Sequence, residues 1–179
     1  MPNESILPVY CPLTYVGNRN TGNPQTQPIN GPQSEDWLGR EYADSGESTG
    51  RKEYKFVLCG PDITGASIPI GSTLYYIDDA QLIVTDKVTA AGAYINNVAG
   101  FAQVVMKANM KSWIQKKGEI SVLADSGTFV AGEQVQPSST SGTVTPTVVG
   151  VAPTYSVLGV AKAASSGSPL KVLINANIQ

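Results

Sequence analysis

Between Trp113 and Ile174 the chain is cut at short intervals by turn-forming pairs and triplets: Gly118-Glu119, Asp125-Ser126-Gly127, Ala131-Gly132, Ser141-Gly142 and Ser166-Gly167. The runs between them are short and rich in β-branched residues, the way a small antiparallel sheet punctuates itself. Ile120 and Val122 fall on one face of a strand, and Phe129 and Val130 lead into Gly132, where a left-handed turn suits a residue without Cβ. Val135 then closes that strand, and Pro137 to Thr147 reads as an exposed Ser/Thr/Gly/Pro loop. The last two runs, Ser156 to Ala161 and Leu170 to Ile174, are almost continuously apolar, which places them centrally and buries at least one face. The expected fold is mainly β: a small antiparallel β-barrel or sandwich.

Upstream, Glu53 to Gly60 (EYKFVLCG) alternates Tyr54, Phe56 and Leu58 with Lys55, Val57 and Cys59 until Pro61-Asp62 breaks it. Thr73 to Ile77 and Gln81 to Thr85 flank Asp78-Asp79 as a hairpin. The stretch from Val88 to Lys117 admits two readings. One is a short helix over Gly100 to Asn109, with Phe101, Val104, Val105 and Ala108 at helical spacing; the other is two strands, Ala93 to Val98 and Ala102 to Ala108. Asn96-Asn97 and Gly100 interrupt any longer helix, so strands are favoured. Met106, Met110 and Trp113 read as core or interface filler.

Residues 1–50 differ in kind from the β-rich body expected over 51–179. Pro2, Pro8, Pro12, Pro24, Pro28 and Pro32 remove backbone donors and bias their predecessors toward extended geometry, so this part reads as an extended, poorly structured arm followed by a charged loop. Its one apolar piece, Ile6 to Val16 (ILPVYCPLTYV), needs a partner surface, either as an edge strand folded back on its own domain or as an arm over a neighbouring subunit. Glu35 to Arg51 carries Glu35, Asp36, Glu41, Asp44 and Glu47, but their spacing matches no calcium loop and the stretch reads as solvated.

The side-chain inventory narrows the chemistry. The 179 residues contain no histidine, which removes Ser-His-Asp and Cys-His machinery, and no G-x-S-x-G elbow or phosphate-cradling glycine loop is present; an enzyme is not expected. Cys11 and Cys59 lie 48 positions apart with no CxxC spacing, so neither a metal site nor a cofactor is expected, and two free thiols in a reducing cytoplasm are. No basic, apolar leader opens the sequence, and no run approaches the roughly 18 apolar residues of a membrane span. With 12 basic against 14 acidic residues, nucleic acid is not an expected partner; Lys107, Lys111, Lys116 and Lys117 form the densest basic group and read as a solvated face.

The order of segments KKGEISVLAD, GTFVAGEQVQPSS, SGTVTP and VLGVAKAASSGSPLKVLI resembles the capsid cement (head decoration) proteins of tailed bacteriophages. In that family a G-V-A strand, here Gly159-Val160-Ala161, is followed by a small-residue linker, Ala163 to Ser168, and an apolar closing strand, Leu170 to Ile174. Gly71-Ser72-Thr73-Leu74-Tyr75 has the look of the family's G-x-x-L/V-Y strand. The resemblance implies a structural virion protein made in the host cytoplasm. It would sit on the capsid exterior as a homotrimer and bind the major capsid protein through an N-terminal segment, with no small-molecule substrate. Ile6, Leu7, Val9, Tyr10, Leu13 and Tyr15 are then the candidate capsid-binding residues. The competing expectation is a β-rich carbohydrate-binding or adhesin module, with Trp37, Tyr42 and Trp113 stacking on sugar rings.

Overall fold

A computed structural model of the chain describes residues 17–18, 23–24, 38–39, 41–44, 51–88, 95–125, 127–148, 150–166 and 169–174. Every regular element among them is a strand. β1 (Gly17–Asn18) and β2 (Asn23–Pro24) pair only with each other. The rest are β3 (Glu41–Asp44), β4 (Lys52–Cys59), β5 (Thr73–Asp78), β6 (Ile83–Thr85), β7 (Val98–Ala102), β8 (Lys111–Val122), β9 (Gln134–Pro137), β10 (Val144–Pro146), β11 (Gly159–Ala161) and β12 (Leu170–Ile174). They make one ten-stranded sheet in the order β10-β9-β11-β12-β8-β7-β5-β6-β4-β3. The fold is sandwich-like and mostly antiparallel; the exception among its ladders is β4 with β6, where Leu58 and Cys59 run parallel to Ile83 and Val84.

The twelve residues of β8 organise this sheet. Its first part, Lys111 to Lys117, pairs with β4 on one side, and Gln115 and Ile114 pair with Phe101 and Ala102 of β7 on the other. Its last part, Gly118 to Val122, pairs instead with Ile174 to Leu170 of β12. One strand therefore belongs to two lobes. In the first, ladders lead from β8 through β7, β5, β6 and β4 and back to β8. In the second, β8, β12, β11, β9 and β10 follow one another, and a single bridge between Ala124 and Val144 links the last strand back to the end of β8.

Strand alternation fills both lobes. Successive side chains of a strand leave on opposite faces, so neighbours in sequence enter different cores. Tyr75 packs with Phe101, Ile120, Val122, Phe129, Val135 and Val172, whereas Tyr76 packs with Val57, Cys59, Leu74, Val84, Ala102 and Ile114. Opposite β5, the register skips Ala99 between Val98 and Gly100. That bulge brings Val98 and Phe101 into the same core although they are three apart. Side chains such as Phe101 and Ile114 are fully buried. Each contributes roughly 1.5–3 kcal/mol of transfer free energy relative to exposure.

The expected β-rich fold and the burial of Leu170, Val172 and Ile174 agree with the structure. Several local expectations are corrected. Of the alternatives for Val88 to Lys117, neither the helix nor the strand over Ala102 to Ala108 forms: β7 runs through Gly100, and 103–110 is a loop tied to the sheet by the Ile68–Met106 bridge. Of the other expected strand, Ala93 to Val98, positions 93–94 lie outside the described residues, 95–96 form a turn, and only Val98 belongs to a strand, as the first residue of β7. The hairpin after β5 turns at Asp79 to Leu82 instead of at Asp78-Asp79, with Leu82 itself at φ 57°. Val135 is the second residue of a strand, β9, instead of closing one, and the loop expected over Pro137 to Thr147 contains β10, paired with β9 in a hairpin. Within the stretch read as a charged loop, Glu41 to Asp44 is an edge strand on β4.

Candidate functional site

The feature that stands out from the body is an apolar groove where β9 begins and β10 ends. One wall starts from Phe129, fully buried and tied to Ser165 by two backbone hydrogen bonds, Phe129 N to Ser165 O at 2.7 Å and Ser165 N to Phe129 O at 3.1 Å. The chain then turns sharply: Glu133 N donates to Val130 O at 3.1 Å, Val130 N donates to Glu133 Oε2 at 2.9 Å, and Gly132 N donates to Ala161 O at 2.8 Å. With both ends held, Val130 points outward. The other wall follows β10, where Thr147 N donates to Gln134 O at 3.0 Å and a turn closes with Val151 N donating to Val148 O at 3.1 Å.

Between these walls lies a space of about 470 Å³. Val130, Val148 and Val151 line it at 62%, 66% and 61% exposure, which is three of the five large apolar side chains exposed among the described residues. Isolated exposed valines need no explanation; the convergence of three on one groove makes it the candidate interaction surface of the described residues. Its charged lining residue is Glu133, whose carboxylate already accepts the Val130 N–H. A second hollow of about 310 Å³, lined by Lys52, Ile70, Gln103, Gln115 and Glu119, is more polar. The Gln115 amide there is committed to the Lys117 and Glu119 carbonyls at 2.9 and 3.1 Å.

Buried titratable groups belong to the cores. Cys59 is free and fully buried, and desolvation, followed by the nearby Asp86, pushes its thiol up to about 12, so it is protonated and no nucleophile at neutral pH. Burial likewise raises the Tyr75 hydroxyl, with Asp86 and Tyr155 adding to the effect, and raises Tyr76 to about 12. Asp86 is 3% exposed and accepts the Thr64 N–H at 2.9 Å. Burial raises its carboxyl, opposed by that hydrogen bond and by Lys87. Among the described residues no three His, Cys, Asp or Glu side chains converge to hold a metal ion.

The candidate capsid-binding residues Ile6, Leu7, Val9, Tyr10, Leu13 and Tyr15, together with Cys11, lie outside the described residues. Of the aromatics weighed for sugar stacking, Trp113 is buried at 7% exposure, its ring 5.1 Å from that of Phe56, and Trp37 and the Tyr42 side chain lie outside the described residues. The four lysines do not act as one basic patch, since Lys116 pairs with Glu41 at 2.9 Å and Lys117 with Glu53 at 3.7 Å. The sequence reading passed over Val148 and Val151; the signal was there in three valines packed around Pro146, Gly150 and Pro153, where no strand period accounts for them.

No protein-family model and no curated protein matches the chain. A solved structure described as the head fiber gp8.5 N base in bacteriophage phi29 is similar over 68% of this chain and 92% of that one, with a TM-score of 0.45 and 14% identity. A likeness of that degree carries no argument about function. No helix among the described residues is long and apolar enough to cross a membrane.

Proposed function

We propose that the chain is a structural virion protein, a cement or decoration subunit. It binds the outer surface of a tailed-phage head and stabilises the shell by bridging neighbouring major capsid proteins. The observation that supports this reading most is the carboxy-terminal third. The segments that carry the family resemblance, GEISV, QVQP, VTP, GVA and LKVLI, are all strands, and together they enclose one core. The chemistry of such a subunit is contact area: it acts by holding the assembled lattice in preference to any alternative, which is stabilisation by mass action. In this reading Ile6, Leu7, Val9, Tyr10, Leu13 and Tyr15 touch the shell, three copies stand together, and no catalysis, cofactor, nucleic acid or membrane is involved.

Co-sedimentation with purified heads tests it. Removing residues 1–16 should abolish pelleting with heads while the circular dichroism of the body stays unchanged. Undiminished binding by the truncated chain would remove the amino-terminal segment from the contact, and failure of the full chain to pellet with heads would overturn the proposal.

A further inference from the structure

The groove lined by Val130, Val148 and Val151 lacks a partner among the described residues, and the chain contains a segment of matching chemistry. Ile6–Val16 has no Asp, Glu, Lys or Arg in eleven positions. Drawn as an extended strand, it places Leu7, Val9, Cys11, Leu13 and Tyr15 on one face. Its two prolines, Pro8 and Pro12, both fall on the opposite parity, so the missing backbone donors are confined to one edge and the other edge keeps its N–H groups. Such a segment can lay an apolar face into a groove and pair along a single edge, without recruiting a further strand on its outside.

We infer that in the free protein this groove is occupied by the chain's own Ile6–Val16 segment. Geometry favours the same chain over a second copy. From β3, where the amino-terminal part joins the sheet, the path to β9 crosses β4, β8, β12 and β11. Five inter-strand steps come to about 24 Å. The shift along β8 from its β4 partners to its β12 partners adds about 20 Å at right angles, so the path along the sheet is about 31 Å and the straight separation is no longer than that. Because β1 pairs with β2, and Gly39 N already donates to Phe56 O of β4 at 2.9 Å beside β3, the connection reduces to the 14 residues 25–38. Fourteen residues treated as a flexible coil would span about 21 Å root-mean-square and reach at most about 48 Å, so the tether can bridge that separation and holds the segment at a local concentration in the millimolar range. A second copy at micromolar concentration competes poorly with that. The groove's charge offers no obstacle, since the Glu133 carboxylate is turned onto the Val130 N–H.

Hydrogen exchange on the full-length protein, free of heads, tests the inference, and it stands apart from the head reading, because a subunit that never decorates a head can still show the protection. Amides of residues 6–16 should exchange at least tenfold more slowly than an unstructured chain. Val148→Glu combined with Val151→Glu, at two exposed positions outside both cores, should remove that protection while β8 and β12 amides remain unchanged. Exchange at the unstructured rate in the unaltered protein overturns the inference, as does protection indifferent to the two glutamates. Protection that falls on tenfold dilution assigns the segment to a second copy and overturns the same-chain claim. Protection of 130–151 that persists after removal of residues 1–16 shows another occupant and has the same effect.

Discussion

Gly118 is the residue at which β8 passes from one lobe to the other: Lys117 still pairs with Glu53 of β4, while Gly118 already pairs with Ile174 of β12. It does so at φ 95°, and a Cβ built there would stand 2.7 Å from Arg51 O and 2.9 Å from Lys52 Cγ. Gly118→Ala therefore meets two penalties. The left-handed backbone costs a residue with a Cβ about 1–2 kcal/mol. The contact with the Arg51 carbonyl cannot be relieved by a side-chain rotation, so the start of β4 must move and part of its ladder with β8 is lost, at about 1–3 kcal/mol more. The reduced entropy of the unfolded chain offsets about 0.4–1 kcal/mol. The net loss expected is about 1–4.6 kcal/mol, read as a lowered midpoint in urea unfolding followed by circular dichroism. Gly65→Ala is the matched control, because Gly65 has φ 74° but no atom within 4 Å of the added Cβ, which leaves the backbone term alone at about 1 kcal/mol. If Gly118→Ala proves no more destabilising than Gly65→Ala, the close approach of β4 to β8 at the junction does not constrain the fold and the reasoning fails.

Ile114→Ala, at a fully buried site between β4 and β7, should cost about 2–5 kcal/mol in the same assay; less than about 1 kcal/mol would mean that the lobe is loosely packed. Cys59 should resist a thiol reagent in the folded protein at pH 8 and react once denatured, whereas rapid labelling under native conditions would contradict its burial. Asp86→Asn keeps an oxygen to accept the Thr64 N–H and removes a buried charge. Because the folded carboxyl is raised, the native aspartate is destabilising above its folded pKa and neutral in effect below its unfolded one. The variant should therefore be at least as stable as the native protein at pH 7, with the difference vanishing below about pH 3.5; a loss at pH 7 that disappears in acid would show an ionic partner that outweighs the burial of the carboxylate. Glu41→Gln should change stability by less than about 1 kcal/mol, since its pair with Lys116 is solvent-exposed on the glutamate side.

The strand-rich character was legible because it is written locally, in β-branched runs and the turn residues between them. Leu170 to Ile174 keeps the bounds read from its apolar pattern, and Glu53 to Gly60 differs from β4 by one position at each end. Glycine was the recurrent source of error. Gly100 reads as a breaker, yet a Cβ there would stand 2.7 Å from Gln115 O, so glycine is what lets β7 approach β8 at that point. β3 was hidden for another reason: a four-residue edge strand with exposed Glu41 and Ala43 takes its pairing from β4, and nothing in its own periodicity announces it. The β10 run is only three residues long, too short to show a period. The groove was the least legible feature, because Val130 and Val151 are 21 positions apart and are brought together by the β9–β10 ladder and the Thr147–Gln134 and Gly132–Ala161 hydrogen bonds around it. Convergence of that kind is a property of topology, not of any window of sequence.

The measurement that bears most directly on the head-binding account is cryo-electron microscopy of heads incubated with the full-length protein at modest excess, compared with undecorated heads. Ordered density at threefold or quasi-threefold positions on the outer surface, with an extended segment reaching the next capsomer, is the expected result. Heads identical with and without the protein, which remains in solution, would contradict it.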